Sequence, residues 1–133
     1  MNRRDLQALS RIRLIEAKAL LRLGHYDGAY YLAGYAAECA LKACIAKLTV
    51  RHEFPDKKRV DLSYTHKLED LVQVAGLGNL LRSRIRSDKA FRDEWETMRS
   101  WSEQSRYRRH GGEQAQALIA AVNGFMRWVR PYW

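Results

Sequence analysis

Proline is nearly absent from this chain. Pro55 and Pro131 are its only two in 133 residues, and so few helix breakers leave room for long helices. Cysteine is as scarce. Cys39 and Cys44 stand alone, placed in one helical pattern where their Cα atoms lie beyond the roughly 7 Å limit for a disulfide. Two reduced, buried thiols fit a cytoplasmic protein. No run of alternating residues reads as a strand, and there is no internal repeat or low-complexity tract. Long hydrophobic runs are missing too: the most apolar stretch, Gly28 to Ala37, stops at Glu38, far short of the roughly 20 residues that span a bilayer. The opening Met1-Asn2-Arg3-Arg4-Asp5 starts a charged helix rather than an apolar leader. No membrane role is expected.

The usual catalytic signatures are also lacking. There is no glycine-rich phosphate loop, no nucleophile elbow and no His-Glu-x-x-His pair. The four histidines, His25, His52, His66 and His110, are scattered without ligand spacing, so neither a metal nor a cofactor is expected. Acidic residues are in short supply: 15 Asp and Glu face 24 Lys and Arg, a net charge of +9. Such a surplus points to a phosphate-rich or acidic partner, because the field it creates speeds association with anions. A plain solubility surplus fits the same totals.

What is present is a folding chain. Apolar residues make up 47% and charged residues 29%, the balance of a globular protein, and the length fits one domain over residues 1–133. A first helix is predicted from about Asp5 to Leu23, with Leu6, Leu9, Ile12, Ile15, Ala19, Leu20 and Leu23 on one face. Arg4, Arg11, Lys18 and Arg22 form a basic stripe opposite, and Gly24 ends the helix. A second helix runs from Asp27, as N-cap, to about Leu48 and is apolar almost all round, which marks the central helix of a bundle. Its alanines and Gly34 keep it slim for close packing. Thr49 to Ser63, carrying Pro55, reads as a crossover loop. A short third helix starts at Thr65 and turns Leu68, Leu71 and Val72 inward, with Gly76 and Gly78 at its end. Leu80, Leu81 and Ile85 suggest another turn or two. A fourth helix covers about Asp88 to Ser102, Gly111-Gly112 breaks the chain, and a last helix runs from about Glu113 to Arg130. The sum is an all-α, four-helix up-and-down bundle with an extra short helix.

Two constellations could carry chemistry. Glu38 and Lys42 lie four apart in an otherwise uncharged stretch of the central helix. Buried charges persist only when paired, so they form either a structural ion pair or a device in which Glu38 orients an arginine from a later helix. The second constellation is the stretch from Trp101 to His110, with Arg106, Tyr107, Arg108, Arg109 and His110 at the end of a helix. Arginine grips phosphate through its planar fork, tyrosine stacks on bases and histidine moves protons near neutral pH. Basic residues at a helix C-terminus also simply complement its dipole.

With these residues in view, the chain resembles a known family. Leu23-Gly24-His25-Tyr26-Asp27-Gly28-Ala29, followed by Ala36-Ala37-Glu38-Cys39-Ala40-Leu41-Lys42-Ala43, resembles the first two helices of HEPN domains. Thr65-His66-Lys67-Leu68 is similar to that family's His-x-Leu segment, and Arg106-Tyr107 to its late Arg-Tyr pair. The resemblance implies a four-helix bundle, a homodimer, and a small nucleotidyltransferase as partner in a toxin–antitoxin or defence setting. It also implies that the chain binds RNA or a nucleotide. Many HEPN members are metal-independent endoribonucleases that use an arginine followed, after four to six residues, by a histidine. Here the positions at that spacing before His110 are Ser105, Gln104 and Glu103. An endoribonuclease reading therefore falls on Arg106 and His110, which share a face if helical, with Glu38 orienting Arg106 or Arg99. Arg99, Arg106, Tyr107, Arg108 and Arg109 are the expected ligand-binding residues. A third reading is a structural adaptor that meets an acidic protein partner.

Overall fold

A left-handed glycine closes the first helix. α1 (Arg3–Arg22) ends where Gly24 takes φ 78°, the region open to glycine without a Cβ clash. The amide of His25 then reaches Leu20 O at 2.9 Å and that of Gly24 reaches Leu21 O at 3.1 Å, a Schellman closure. At its other end Asn2 caps the amide of Asp5 while Asp5 bonds back to Asn2, so α1 begins earlier than Asp5. The computed structural model describes residues 1–49, 53–54 and 56–133. Among these it holds seven α-helices and no strand.

α2 (Tyr26–Lys47) is the axis of the fold. Ala29, Ala33, Ala36, Ala37, Ala40 and Ala43 are all fully buried, so neighbouring helices approach its backbone closely. α1 packs along it, and the late α7 (Gly112–Val129) packs on another side. α6 (Lys89–Arg99) leans on α7 through Phe91, Trp95 and Phe125. These four long helices form the expected bundle, and one connected core of Leu, Met, Val and aromatic side chains fills it. Ser10 is the buried polar exception on α1, and its hydroxyl donates to Ala36 O at 2.7 Å.

Three shorter helices sit between α2 and α6. α3 (Lys57–Leu62) stands inside the expected crossover loop, capped by Asp56. It buries no residue, and hydrophobic periodicity therefore gives no sign of it. Val50–His52 and Pro55 of that loop lie outside the described residues. α4 (Leu68–Val74) does turn Leu68, Leu71 and Val72 inward, but it starts after Lys67, not at Thr65. The Thr65 hydroxyl instead accepts from Lys67 N at 3.2 Å, a local turn that delays the helix. A second Schellman closure at Gly76 (φ 73°) ends it. The suspected extra turns are a full helix, α5 (Gly78–Ser87).

After α6 the chain does not continue as helix to Ser102. Residues 100–102 are irregular, Glu103–Tyr107 form a 3₁₀ turn, and Arg108 is extended at φ −115° and ψ 156°. The stretch from Trp101 to Gly111 thus becomes a strap laid across α2 before α7 begins. None of the helices among the described residues is long and apolar enough to cross a membrane.

Candidate functional site

The strap is fixed to α2 at several points, each made by residue chemistry that the helix carries. Trp101 is buried, and its indole lies flat on Gly34, where any Cβ would collide with the ring. Tyr31 flanks the same indole at 6.1 Å and stacks on Tyr35 at 6.3 Å. The strap's next anchor is polar. Glu38 is 2% exposed and its Oε1 lies 2.9 Å from both Lys42 Nζ and His66 Nδ1. The opposite ring nitrogen of His66, Nε2, faces Glu103 Oε2 at 3.2 Å. A single imidazole therefore links the buried acid of α2 to the first residue of the 3₁₀ turn.

The far end of the strap is held by Asp27. Its Oδ1 accepts the backbone N–H of His110, and its Oδ2 lies 2.8 Å from Arg109 Nε. Asp27 does not cap α2: the N-cap is His25, which makes no side-chain capping bond, and Asp27 sits inside the first turn. The His110 ring stacks on Tyr30, centroids 3.8 Å apart and 10° from parallel. Its side chain is only 10% exposed, and Nδ1 is buried without a hydrogen-bond partner among the described residues. Gly112 completes the attachment. A Cβ there would come within 3.0 Å of the Tyr26 ring.

Between these anchors the strap presents Arg106, Tyr107, Arg108 and Arg109 to solvent, with Tyr107 73% exposed. The Arg106 guanidinium lies over the Tyr107 ring at 4.9 Å. The neighbouring Tyr107, and after it Tyr31, raises the Arg106 pKa above the usual arginine value. Neither Arg106 nor Arg108 forms an ion pair among the described residues. Arg13 of α1 extends the row, over the Tyr35 ring at 6.0 Å.

Several expectations change against this geometry. Glu38 orients no arginine; its partners are Lys42 and His66, and the ion-pair alternative holds. Arg99 is paired instead with Glu69 and Glu96, which meet its guanidinium at 2.6 and 3.2 Å. Hydrogen bonds to Glu96 and then Glu69 raise its pKa. Arg106 and His110 do not share a helical face, since the chain leaves helical conformation at Arg108. Arg106 points along the outer surface while the His110 ring lies under the strap. Tyr31, Tyr35 and His66 join the site without having been expected there. Their signal in the sequence was faint: tyrosines in an apolar helix need a polar edge for their hydroxyls, and a lone buried acid needs partners. No group of three or more metal-ligating side chains occurs among the described residues.

The fold and the strap together define an α-helical bundle that displays a cationic, aromatic segment on the back of its central helix. A model of the HEPN domain matches residues 6–132, and the chain belongs to the HEPN family. That membership points to nucleotide or RNA binding, or to an RNase-like activity. Neither a curated protein nor a solved structure matches the chain.

Proposed function

We propose that this HEPN-family chain is an RNA- or nucleotide-binding module, with Arg106, Tyr107 and Arg108 as the contact face and Tyr31 and Tyr35 beside it. The observation that carries the reading is the strap itself. Buried groups at both of its ends hold it, yet its middle turns outward an exposed tyrosine and two arginines that have no carboxylate partner among the described residues. Arginine forks take phosphate oxygens, and a tyrosine ring offers a sequence-tolerant stacking platform for a base. The surplus of +9 steers anions to this face. The resemblance that led to the family supplies the setting: a homodimer acting beside a small nucleotidyltransferase in a toxin–antitoxin or defence pair.

Binding of single-stranded RNA tests this directly. With four to six phosphate contacts, affinity should fall roughly 10²-fold between 50 and 200 mM salt, as released counterions dictate. Arg106→Ala and Arg108→Ala should each weaken binding across sequences and make the salt slope shallower by about one contact. Weak, salt-insensitive binding, with an acidic protein captured instead, would replace this reading by the adaptor. RNA cleavage that survives EDTA and disappears in His110→Ala would establish the endoribonuclease.

A further inference from the structure

Beyond the RNA face lies a separate cavity at the N-terminal end of α2. It measures about 300 Å³ and is lined by Gly24, His25, Tyr26, Asp27, Gly28, Arg109 and His110. The 22-residue helix behind it has no side-chain cap, so the amides of its first turn meet the cavity with the positive end of the dipole. The second observation is independent of that helix end. The His110 side chain is nine-tenths buried and lines the same cavity; its Nδ1, 3.9 Å from Asp27 Oδ1, has no hydrogen-bond partner among the described residues. A buried ring nitrogen left unbonded is destabilising, and a ligand atom would satisfy it.

The surrounding donors say which ligand. Arg109 uses only Nε on Asp27, and its side chain is 96% exposed, so its terminal N–H groups remain available. His25 at the cap position and the first-turn amides add further donors. One acid, Asp27, stands among them, and that acid is discriminating. A phosphodiester offers acceptors only and meets repulsion from the carboxylate. A phosphomonoester has a second pKa near 6; in its singly protonated form it accepts from the arginine, amides and imidazole and donates its own O–H to Asp27. We infer that the cavity at the start of α2 is a receptor for a terminal phosphomonoester, formed by Arg109, His110 Nδ1 and the α2 amides, with Asp27 selecting the monoester. Where the ligand is RNA, this deepens the proposed RNA reading by naming the end that docks.

The test compares one single-stranded oligoribonucleotide carrying a 5′-phosphate, a 3′-phosphate or hydroxyls at both ends, alongside inorganic phosphate as a probe. One phosphorylated form should bind roughly tenfold more tightly than the hydroxyl-ended one, a difference of about 1.4 kcal/mol. Inorganic phosphate should erase that advantage and shift the amide resonances of Gly28 and His110. In His110→Phe, which keeps a ring against Tyr30, and in the fully exposed Arg109→Gln, the ratio of phosphorylated to hydroxyl-ended affinity should drop toward one. Asp27→Asn keeps one acceptor, which serves the His110 N–H, releases Arg109, and should narrow the preference for monoester over diester. Equal binding of all three ends, with resonances unmoved by phosphate, overturns the inference and leaves the RNA reading standing. Resonance shifts with phosphate in a chain that binds no RNA overturn the RNA reading and leave the receptor.

Discussion

A methyl group is all that separates Gly34 from alanine, and the Trp101 indole occupies the place where that methyl would go. Gly34→Ala should therefore lower stability by about 1–3 kcal/mol, the usual range for overpacking, even though alanine is the better helix former by roughly 1 kcal/mol. Urea unfolding would measure the sum, and a stabilised variant would show that the ring can slide. The two thiols make a second residue-scale case. Burial pushes Cys39 up to about 11 and Cys44 up to about 12, so the folded chain holds those protons to higher pH than the unfolded one. Their contribution to stability is intact below the unfolded thiol pKa, near 8.5. It is lost as pH rises toward 11 and 12, because only the unfolded state releases the protons early. Urea midpoints taken at pH 7, 9 and 10.5 should fall, and a Cys39→Ala, Cys44→Ala double variant should fall less steeply.

Among the elements, the long helices were legible because each buries one face at a 3.6-residue period: α1, α2, α6 and α7 all emerge from the spacing of their apolar residues. Their exact ends were less so. Asp27 and Thr65 have the side chains of N-caps, yet tertiary partners in one case and a local turn in the other claim those oxygens. α3 buries nothing and left no periodic trace. The site divides the same way. The outward cluster Arg106–Arg109 is visible as a run of letters, whereas its moorings join residues far apart: Glu38 to His66, and Asp27 to His110. No local spacing encodes those pairs. His66 is the element-scale hinge among them, for it connects α2 to the 3₁₀ turn. His66→Ala should loosen that turn, with faster hydrogen exchange at Glu103–Tyr107 and weaker RNA binding, while α1 and α7 stay protected. Unchanged exchange in the turn would mean that Trp101 and Asp27 hold the strap by themselves.

For the molecule as a whole, the breadth of α2's apolar surface and the tryptophans do not argue for a dimer. α2 is covered by its own neighbours; Trp95, Trp101 and Trp133 are buried within the single chain, and Trp128 is half-buried against the same core. The homodimer rests on the family resemblance, and light scattering at tens of micromolar should return twice the 15.5 kDa chain mass. A clean monomer would transfer the whole binding burden to one strap and its cavity.

The seating of Trp101 on Gly34 also constrains how such a protein can diverge. Neither position can drift alone, since a side chain at 34 evicts the indole and loss of the indole opens a void over α2. Arg106, Tyr107 and Arg108 carry no such debt to the core, and descendants of this chain can exchange them one at a time. Ligand preference is thus free to evolve quickly on a mount that must be inherited as a matched pair.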